Sequence, residues 1–281
     1  MSGATAMRRH AFEELESRLP GSRCIVVVGL PGTGKSFLVR RIARLAAGEA
    51  RRVHLLQWDI ARLAWDTPEI LARFPEVNGV THAAIRGALG LWVRAAAARW
   101  FETYAPRGDL LIVEAPVIGG RFSALARPIE DALEPHLADR RTLFVVVAPT
   151  LGLQQQLRER RAAESHAGTD ALERHNASLG VLDVMLAAVE HVARLWGKPS
   201  EVPGVYDPHL YVEVMRAVLK HRHVLVVRPD SLEQVQGSVY DLGAEVLRVA
   251  ATREEVATTI AAAGRDLERL RKEVEFGWAF V

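Results

Sequence analysis

The chain has 281 residues, with 36 Lys and Arg against 34 Asp and Glu, which gives a formal net charge of +2. This near balance lacks the basic footprint of a nucleic-acid-binding protein, and no run approaches the ~20 apolar residues of a membrane-spanning helix. We therefore expect neither nucleic acid nor a membrane as a partner. The single cysteine, Cys24, excludes an intrachain disulfide and favours a reducing, cytoplasmic compartment.

Short strand-like runs alternate with helical patterns along the chain. The strand-like runs fall at residues 24–28, 53–59, 109–116, 142–148, 224–227 and 245–249. Helical patterns fall at residues 11–18, 35–47, 81–104, 123–138, 181–195, 209–221 and 252–274. This alternation predicts an α/β fold with a mostly parallel sheet, in which residues 1–281 form a single domain. In such folds, ligands bind where the carboxyl ends of the strands meet.

A glycine-rich segment lies between the first strand-like run and the first long helix. Residues 29–36 read Gly-Leu-Pro-Gly-Thr-Gly-Lys-Ser and match the phosphate-loop pattern G-x-x-x-x-G-K-[ST] at every fixed position. The glycines let successive N–H groups point into one concavity, and the helix N-terminus adds a positive dipole end. We therefore expect ATP with Mg²⁺ to bind here, with the lysine on the β- and γ-phosphates as a catalytic group and the serine hydroxyl on the metal. The predicted nucleotide-binding residues are Gly29, Pro31, Gly32, Thr33, Gly34, Lys35 and Ser36.

Acidic residues close the second and third strand-like runs. Glu114 stands where a Walker B carboxylate is expected, which predicts a Mg²⁺ site shared with Ser36. Asp59 ends the second run, so we expect it to be the catalytic base and to contact the hydroxyl of an acceptor. The alternative interpretations are a helix N-cap or surface acid for Asp59 and a solvated strand-end acid for Glu114.

Four arginines follow strand ends and suit the binding of anionic groups. Arg62, after the second run, and Arg121, after two glycines, are candidate substrate-binding residues. Arg158 and Arg161 share one face of the charged segment 151–178, and we expect them to be catalytic residues of a lid over the transferring phosphate. Arg62 equally fits a solvated face and Arg121 a turn, while an ordinary charged helix would also account for Arg158 and Arg161.

With these residues together, the sequence resembles the P-loop small-molecule kinases. This group includes nucleoside and nucleotide kinases, gluconate- and shikimate-type kinases, chloramphenicol phosphotransferase and zeta-toxin-like kinases. The resemblance rests on the phosphate loop, the acids Asp59 and Glu114, and the arginine-bearing segment at 151–161. It implies a P-loop NTPase three-layer sandwich with a five-stranded sheet in the order 2-3-1-4-5, a lid at about 151–178 and a helical insertion at about 180–223.

The same resemblance implies an activity and a place for adenine. The activity is transfer of the γ-phosphate of Mg-ATP to a hydroxyl of a small-molecule acceptor. Adenine would contact the strand-to-helix turn at residues 249–253. The tryptophans Trp58, Trp65 and Trp92 hint at an acceptor larger than a simple metabolite.

Two other classes of protein share a phosphate loop. Residues 30–36 look as much like the loop of an AAA+ ATPase as like that of a kinase. AAA+ proteins usually end the third strand with Asp-Glu, whereas Glu114 is followed by Ala115 and Pro116, and this favours the kinase. A regulatory protein that binds ATP without turnover would have no use for Asp59. The sequence leaves open whether the chain forms a homo-oligomer.

Overall fold

Six parallel strands form the central sheet. The computed structural model describes residues 12–77, 79–167, 179–231, 246–265, 267–275 and 277–279. The strands are β1 (Cys24–Val28), β2 (Val53–Gln57), β3 (Leu110–Ala115), β4 (Thr142–Val147), β5 (Val224–Val227) and β6 (Val246–Arg248). Their order is β5-β4-β1-β3-β2-β6, and every pair of neighbours is parallel. The predicted α/β class with a parallel sheet is therefore confirmed.

The sheet differs from the prediction at one edge. Five strands in the order 2-3-1-4-5 were expected, and both the count and the order are wrong because β6 extends the sheet beyond β2. Val53 to Leu55 of β2 pair with Val246 to Arg248 of β6. The remaining five strands keep the expected neighbours, so β1 lies between β3 and β4. This arrangement brings the ends of β1, β3 and β2 side by side.

Helices lie on both faces of the sheet because the strands divide their side chains between two apolar cores. In β1, Ile25 and Val27 pack with the first two helices, whereas Val26 and Val28 belong to the larger core on the opposite face. Strands buried on both faces read as continuous apolar runs, which explains the pattern in the sequence.

The described helices alternate with the strands along much of the chain. They are α1 (12–18), α2 (Lys35–Gly48), α3 (Trp58–Ala61), α4 (Pro68–Arg73), α5 (Ala83–Thr103), α6 (Glu134–Leu137), α7 (Leu151–Ala167), α8 (Leu179–Leu195), α9 (Pro208–Val218), α10 (Arg253–Arg265) and α11 (Leu267–Glu275). Short 3₁₀ turns at Arg62–Trp65 and Ser123–Leu125 interrupt two of the connections. Within the described residues, none of these helices combines the length and the apolar character needed to cross a membrane.

The prediction of a helix at 123–138 is wrong. Only the 3₁₀ turn and the single turn of α6 form there. Two buried arginines bind the backbone of this segment instead. Arg94 donates hydrogen bonds to the Ala124 carbonyl at 2.7 Å and to Asp131, and Arg222 donates to the Leu125 carbonyl at 2.9 Å. Because guanidinium groups satisfy these carbonyls, the segment needs no helical hydrogen bonds.

The C-terminal helices pack on α5 and on the turn that follows β3. The sequence predicted a helix at 252–274, and the described residues of that range are helical in α10 and α11, which both contact α5. Val274 of α11 packs directly over Gly120, and Glu275 forms an ion pair with Arg86 of α5 at 3.3 Å. The end of the chain therefore supports a turn that lies about 150 positions earlier in the sequence.

This packing predicts that Gly120→Ala is strongly destabilising. Gly120 has a φ of 78°, and a Cβ atom there would overlap the Val274 side chain. Left-handed backbone strain costs roughly 1–2 kcal/mol and overpacking roughly 1–3 kcal/mol, so the free energy of unfolding should fall by roughly 2–5 kcal/mol. Urea denaturation measures the change.

Gly108→Ala is the matched control. Gly108 has a φ of 86°, but a Cβ atom there would meet nothing within 4 Å. We expect only the strain of roughly 1–2 kcal/mol. Equal losses in the two variants would show that α11 does not press on the turn.

Candidate functional site

The phosphate loop connects β1 to α2 through a tightly curved backbone. Gly32 and Gly34 have φ values of 77° and 90°, in the left-handed region that favours glycine. Gly29 faces the interior of the same turn, where a Cβ atom would lie 2.6 Å from Thr33 Oγ1. These three positions therefore need glycine for the reasons that the sequence pattern suggested.

Lys35 begins α2 with its ammonium group folded over the loop. Its Nζ donates a hydrogen bond to the Leu30 carbonyl at 2.8 Å. Thr33 donates to the same carbonyl from its hydroxyl at 2.9 Å and from its backbone N–H at 3.3 Å. Lys35 is buried and also lines the cleft that opens beside the loop.

Glu114 joins the phosphate loop to the neighbouring strands. Ser36 Oγ donates a hydrogen bond to Glu114 Oε1 at 2.8 Å, and Gln57 Nε2 donates to Glu114 Oε2 at 2.8 Å. The strand register fixes this contact, because Glu114 pairs with Val27 of β1 and with Gln57 of β2. The hydroxyl and carboxylate predicted as Mg²⁺ ligands are thus brought together.

A cleft of about 580 Å³, counting space open to solvent, lies at the carboxyl ends of β1, β2 and β3. Pro31 and Lys35 of the phosphate loop line one side, and Asp59 and Glu114 line the strand ends. Met185 of α8 also lines the cleft. Helix α8 belongs to the segment predicted as a helical insertion.

Asp59 is half-buried in the first turn of α3, immediately after β2. Burial and, next, the charge of Glu114 raise its pKa to about 6, while Lys35, Arg62 and Arg121 oppose this rise. Its carboxylate has no hydrogen bond or ion pair to any residue that the structure describes. The N-cap interpretation is therefore wrong, and the group is available to a ligand in the cleft.

Arg62 lines the cleft but is held by acids of this chain. Its guanidinium lies 2.7 Å from Glu76 and 3.2 Å from Asp66, and the residue is 3% exposed. Glu76 and Thr81 also line the cleft, and no motif or pattern around them in the sequence points to a site. The solvated interpretation of Arg62 is wrong, and part of its charge is neutralised before any substrate binds.

Arg121 lines the same cleft from the turn after β3 and is 5% exposed. Burial and, next, the charge of Arg86 lower its pKa to about 10. Unlike Arg62, it has no side-chain hydrogen bond or ion pair within the described part of the chain. Of the two predicted substrate-binding arginines, Arg121 is the one without an ion pair among the described residues, although Asp59 and Glu76 influence its charge.

The predicted lid arginines lie elsewhere. Arg158 forms an ion pair with Asp183 of α8 at 2.8 Å, its side chain is 38% exposed, and it does not line the cleft. The side chain of Arg161 lies outside the described residues, as does the predicted lid beyond residue 167. A catalytic role for these two arginines stays a prediction.

The tryptophan argument for a large acceptor loses most of its support. Trp58 lines the cleft, but Trp65 and Trp92 are fully buried and stack edge to face with their centroids 5.5 Å apart. Aromatic residues at helical spacing often belong to the core, as these two do.

The turn at residues 249–253 follows β6, at the opposite edge of the sheet from β5. In the expected order, the last strand lies beside β4. The structure has β5 in that position, where the Thr150 N–H donates to the Pro229 carbonyl at 3.0 Å. The turn predicted to contact adenine therefore lies beyond β2 rather than beside β4, and adenine binding there stays a prediction.

No protein-family model matches this chain, and no curated protein is significantly similar to it. A function has to be inferred from the cleft itself. Its side chains offer hydroxyl and carboxylate oxygens for a hard cation, a lysine beside a glycine-rich loop, and one acid without a partner.

The raised pKa of Asp59 predicts a pH-dependent effect of Asp59→Asn on stability. The folded protein binds this proton more tightly than the unfolded chain, so the stability of the wild type falls as pH rises from about 4 to about 6. Asparagine removes this penalty. We expect the variant to exceed the wild type by up to about 3 kcal/mol at pH 8 and to match it near pH 4, in urea denaturation at both pH values.

Asp139→Asn is the control with the opposite sign. Hydrogen bonds from Arg141 lower the pKa of Asp139 to about 2, so its ionised form stabilises the folded state. This variant should lose stability at pH 8. If Asp59→Asn also loses stability at pH 8, the carboxylate of Asp59 is not held in an unfavourable environment.

Proposed function

We propose that the chain is a P-loop phosphotransferase that moves the γ-phosphate of Mg-ATP to a hydroxyl group of a small-molecule acceptor. The observation that carries the proposal is that Asp59, an acid without a hydrogen-bond or ion-pair partner among the described residues, lines the same cleft as Lys35 and Glu114. A base beside a phosphate site is what transfer to an alcohol requires. The enzyme would work in the cytoplasm, where Mg-ATP is abundant.

The residues present fit a nucleotide with its metal. A Cβ atom at Gly29 would clash with Thr33, and Gly34 has a φ of 90°, so the loop curves tightly and its backbone is open to close approach by phosphates. Lys35 would pair with the β- and γ-phosphates, and Ser36 and Glu114 would hold Mg²⁺ directly or through water. A bound Mg²⁺ would neutralise charge that develops on the phosphate oxygens.

In the proposed reaction the protein takes part in one proton transfer and otherwise binds and stabilises the reacting groups. Asp59 accepts the proton of the acceptor hydroxyl, whose oxygen forms a bond to the γ-phosphorus. The bond from that phosphorus to the bridging oxygen breaks, and ADP leaves with the electron pair. Lys35 stabilises the charge on the transferring group. With a pKa of about 6, Asp59 is ionised at neutral pH and still basic enough to act.

Lys35→Ala should abolish ATP binding. The ammonium is the cation that the phosphate loop directs toward the phosphates, and no other lysine lines the cleft among the described residues. Titration calorimetry with Mg-ATP measures the loss, with the exposed Lys220→Ala as control. Unchanged affinity in Lys35→Ala would overturn the phosphate-loop assignment.

Asp59→Asn should remove phosphate transfer while ATP affinity stays nearly intact. General-base catalysis contributes about 10²–10⁴-fold to a rate, so kcat should fall by that factor. The acceptor comes from a screen of ADP release with nucleosides, sugars, aminoglycosides and other alcohols. Transfer at the wild-type rate would exclude Asp59 as the base, and steady ATP hydrolysis that needs no acceptor and rises with oligomer formation would favour an AAA+-type ATPase.

A further inference from the structure

Arg121 is a buried arginine of the cleft that is influenced by the charges of Asp59 and Glu76 without forming an ion pair with either. Its side chain is buried, yet the guanidinium group has neither a carboxylate nor a carbonyl partner among the described residues. Burying a charge without a partner costs free energy, so a buried charge is usually compensated by an ion pair, hydrogen bonds or a bound ligand. Arg62 and Arg86 show the contrast, since each is paired with acids of this chain.

The backbone around Arg121 is shaped to hold this side chain in place. Gly119 and Gly120 have φ values of 59° and 78°, and Val117 and Phe122 also adopt positive φ values of 58°. A Cβ atom at Gly119 would lie 3.2 Å from Arg121 Nη1, so the guanidinium folds back over its own turn. Positive φ at non-glycine residues costs free energy and tends to persist at functional sites.

Arg86 binds the backbone of the turn that carries Arg121 and adds a second positive charge beside it. Its Nη1 donates a hydrogen bond to the Gly119 carbonyl at 2.6 Å, and its Nε donates to the Thr81 carbonyl at 2.9 Å. The charge of Arg86 is close enough to lower the pKa of Arg121. An anion beside Arg121 would relieve this repulsion.

The position of Arg121 favours an acceptor over the nucleotide as the source of that anion. The acids and the arginine that influence its pKa besides Arg86 are Asp59, Arg62 and Glu76, all of which follow β2. The phosphate loop follows β1, and β3 separates β1 from β2. Arg121 follows β3 and is influenced by the predicted base, whereas Lys35 of the phosphate loop is not among the groups that influence its pKa.

We propose that the acceptor carries, beside the hydroxyl that Asp59 would deprotonate, an anionic group that binds the Arg121 guanidinium. A carboxylate or a phosphate monoester would fit, because both accept paired hydrogen bonds from a guanidinium. The inference rests on the proposed function and narrows its substrate to hydroxy acids and hydroxylated phosphate esters. Arg121 is a substrate-binding residue, and Arg86 is a positioning residue for its turn.

Matched probes test the anion site without knowledge of the physiological acceptor. Glycerol, glycerate and glycerol 3-phosphate share a hydroxylated backbone and differ in their anionic group. Each is titrated at constant ionic strength into the protein saturated with Mg-ADP, so that the phosphate loop is filled, and the shift of the thermal unfolding midpoint gives an apparent Kd. We expect both anions, but not glycerol, to raise the midpoint, and the tighter of the two identifies the anionic group.

Three variants assign the effect to Arg121. Arg121→Gln should weaken binding of the anionic probe about 10- to 100-fold, as expected for the loss of a hydrogen-bonded charge. Arg121→Lys keeps the charge but cannot form the paired hydrogen bonds. Its affinity for the anionic probe should therefore lie between those of the wild type and Arg121→Gln. Arg141→Gln is the control, since Arg141 is exposed and pairs with Asp139 before β4 begins, at the opposite end of the strands.

The outcomes separate this inference from the proposed function. Equal binding of the three probes, or anion binding unchanged in Arg121→Gln, overturns the inference, while Mg-ATP affinity and transfer activity remain separate measurements. Loss of Mg-ATP affinity in Arg121→Gln would assign the arginine to the nucleotide and also overturn it. A different result would overturn the proposed function instead. In that case the wild type would bind the anion through Arg121 but would have no affinity for Mg-ATP.

Discussion

One oxygen of the Glu114 carboxylate accepts a hydrogen bond from Ser36 and the other accepts one from Gln57, each at 2.8 Å. These two bonds depend on the parallel register of β1, β3 and β2, in which Val27, Glu114 and Gln57 lie level. A slip of one residue in β3 would turn Glu114 to the other face of the sheet and present an apolar neighbour to the loop. The cleft therefore exists only if the sheet is paired as it is, and the apolar strand cores that fix this register also fix the site.

Bringing two acids into one cleft reduces the stability of the fold. Asp59 and Glu114 line one cleft, and the charge of Glu114 helps to raise the pKa of Asp59 to about 6. Lys35 and Arg121 oppose that rise without cancelling it. Neither Asp59 nor Arg121 has a hydrogen-bond partner among the described residues, although both line the cleft and each influences the pKa of the other. Groups held in this way reduce folding stability, and active sites commonly carry such groups.

The sequence predicted the parts of the site that depend on local chemistry. The phosphate loop is contiguous, and its glycines are required by local backbone geometry, so the pattern alone located it. Asp59 and Glu114 were found because strand ends meet at one edge of a parallel sheet. The sequence could not show that β6 pairs with β2, since only tertiary packing decides which edge a short strand joins. Nor could it show that Arg94 would replace the hydrogen bonds of the helix expected at 123–138, because the two lie far apart along the chain.

Local contacts determine one half of the cleft, and contacts between distant segments determine the other. The loop that would hold phosphate is built from residues 24–36, one strand and the start of one helix. The half that would hold an acceptor combines Asp59 after β2, Arg121 after β3 and Met185 of α8, with the turn of Arg121 fixed by Arg86 and by α11 at the end of the chain. A motif can identify the first half because its contacts are local. The second half is set by contacts between distant segments, so its chemical preference has to be inferred from the charges that folding leaves without partners.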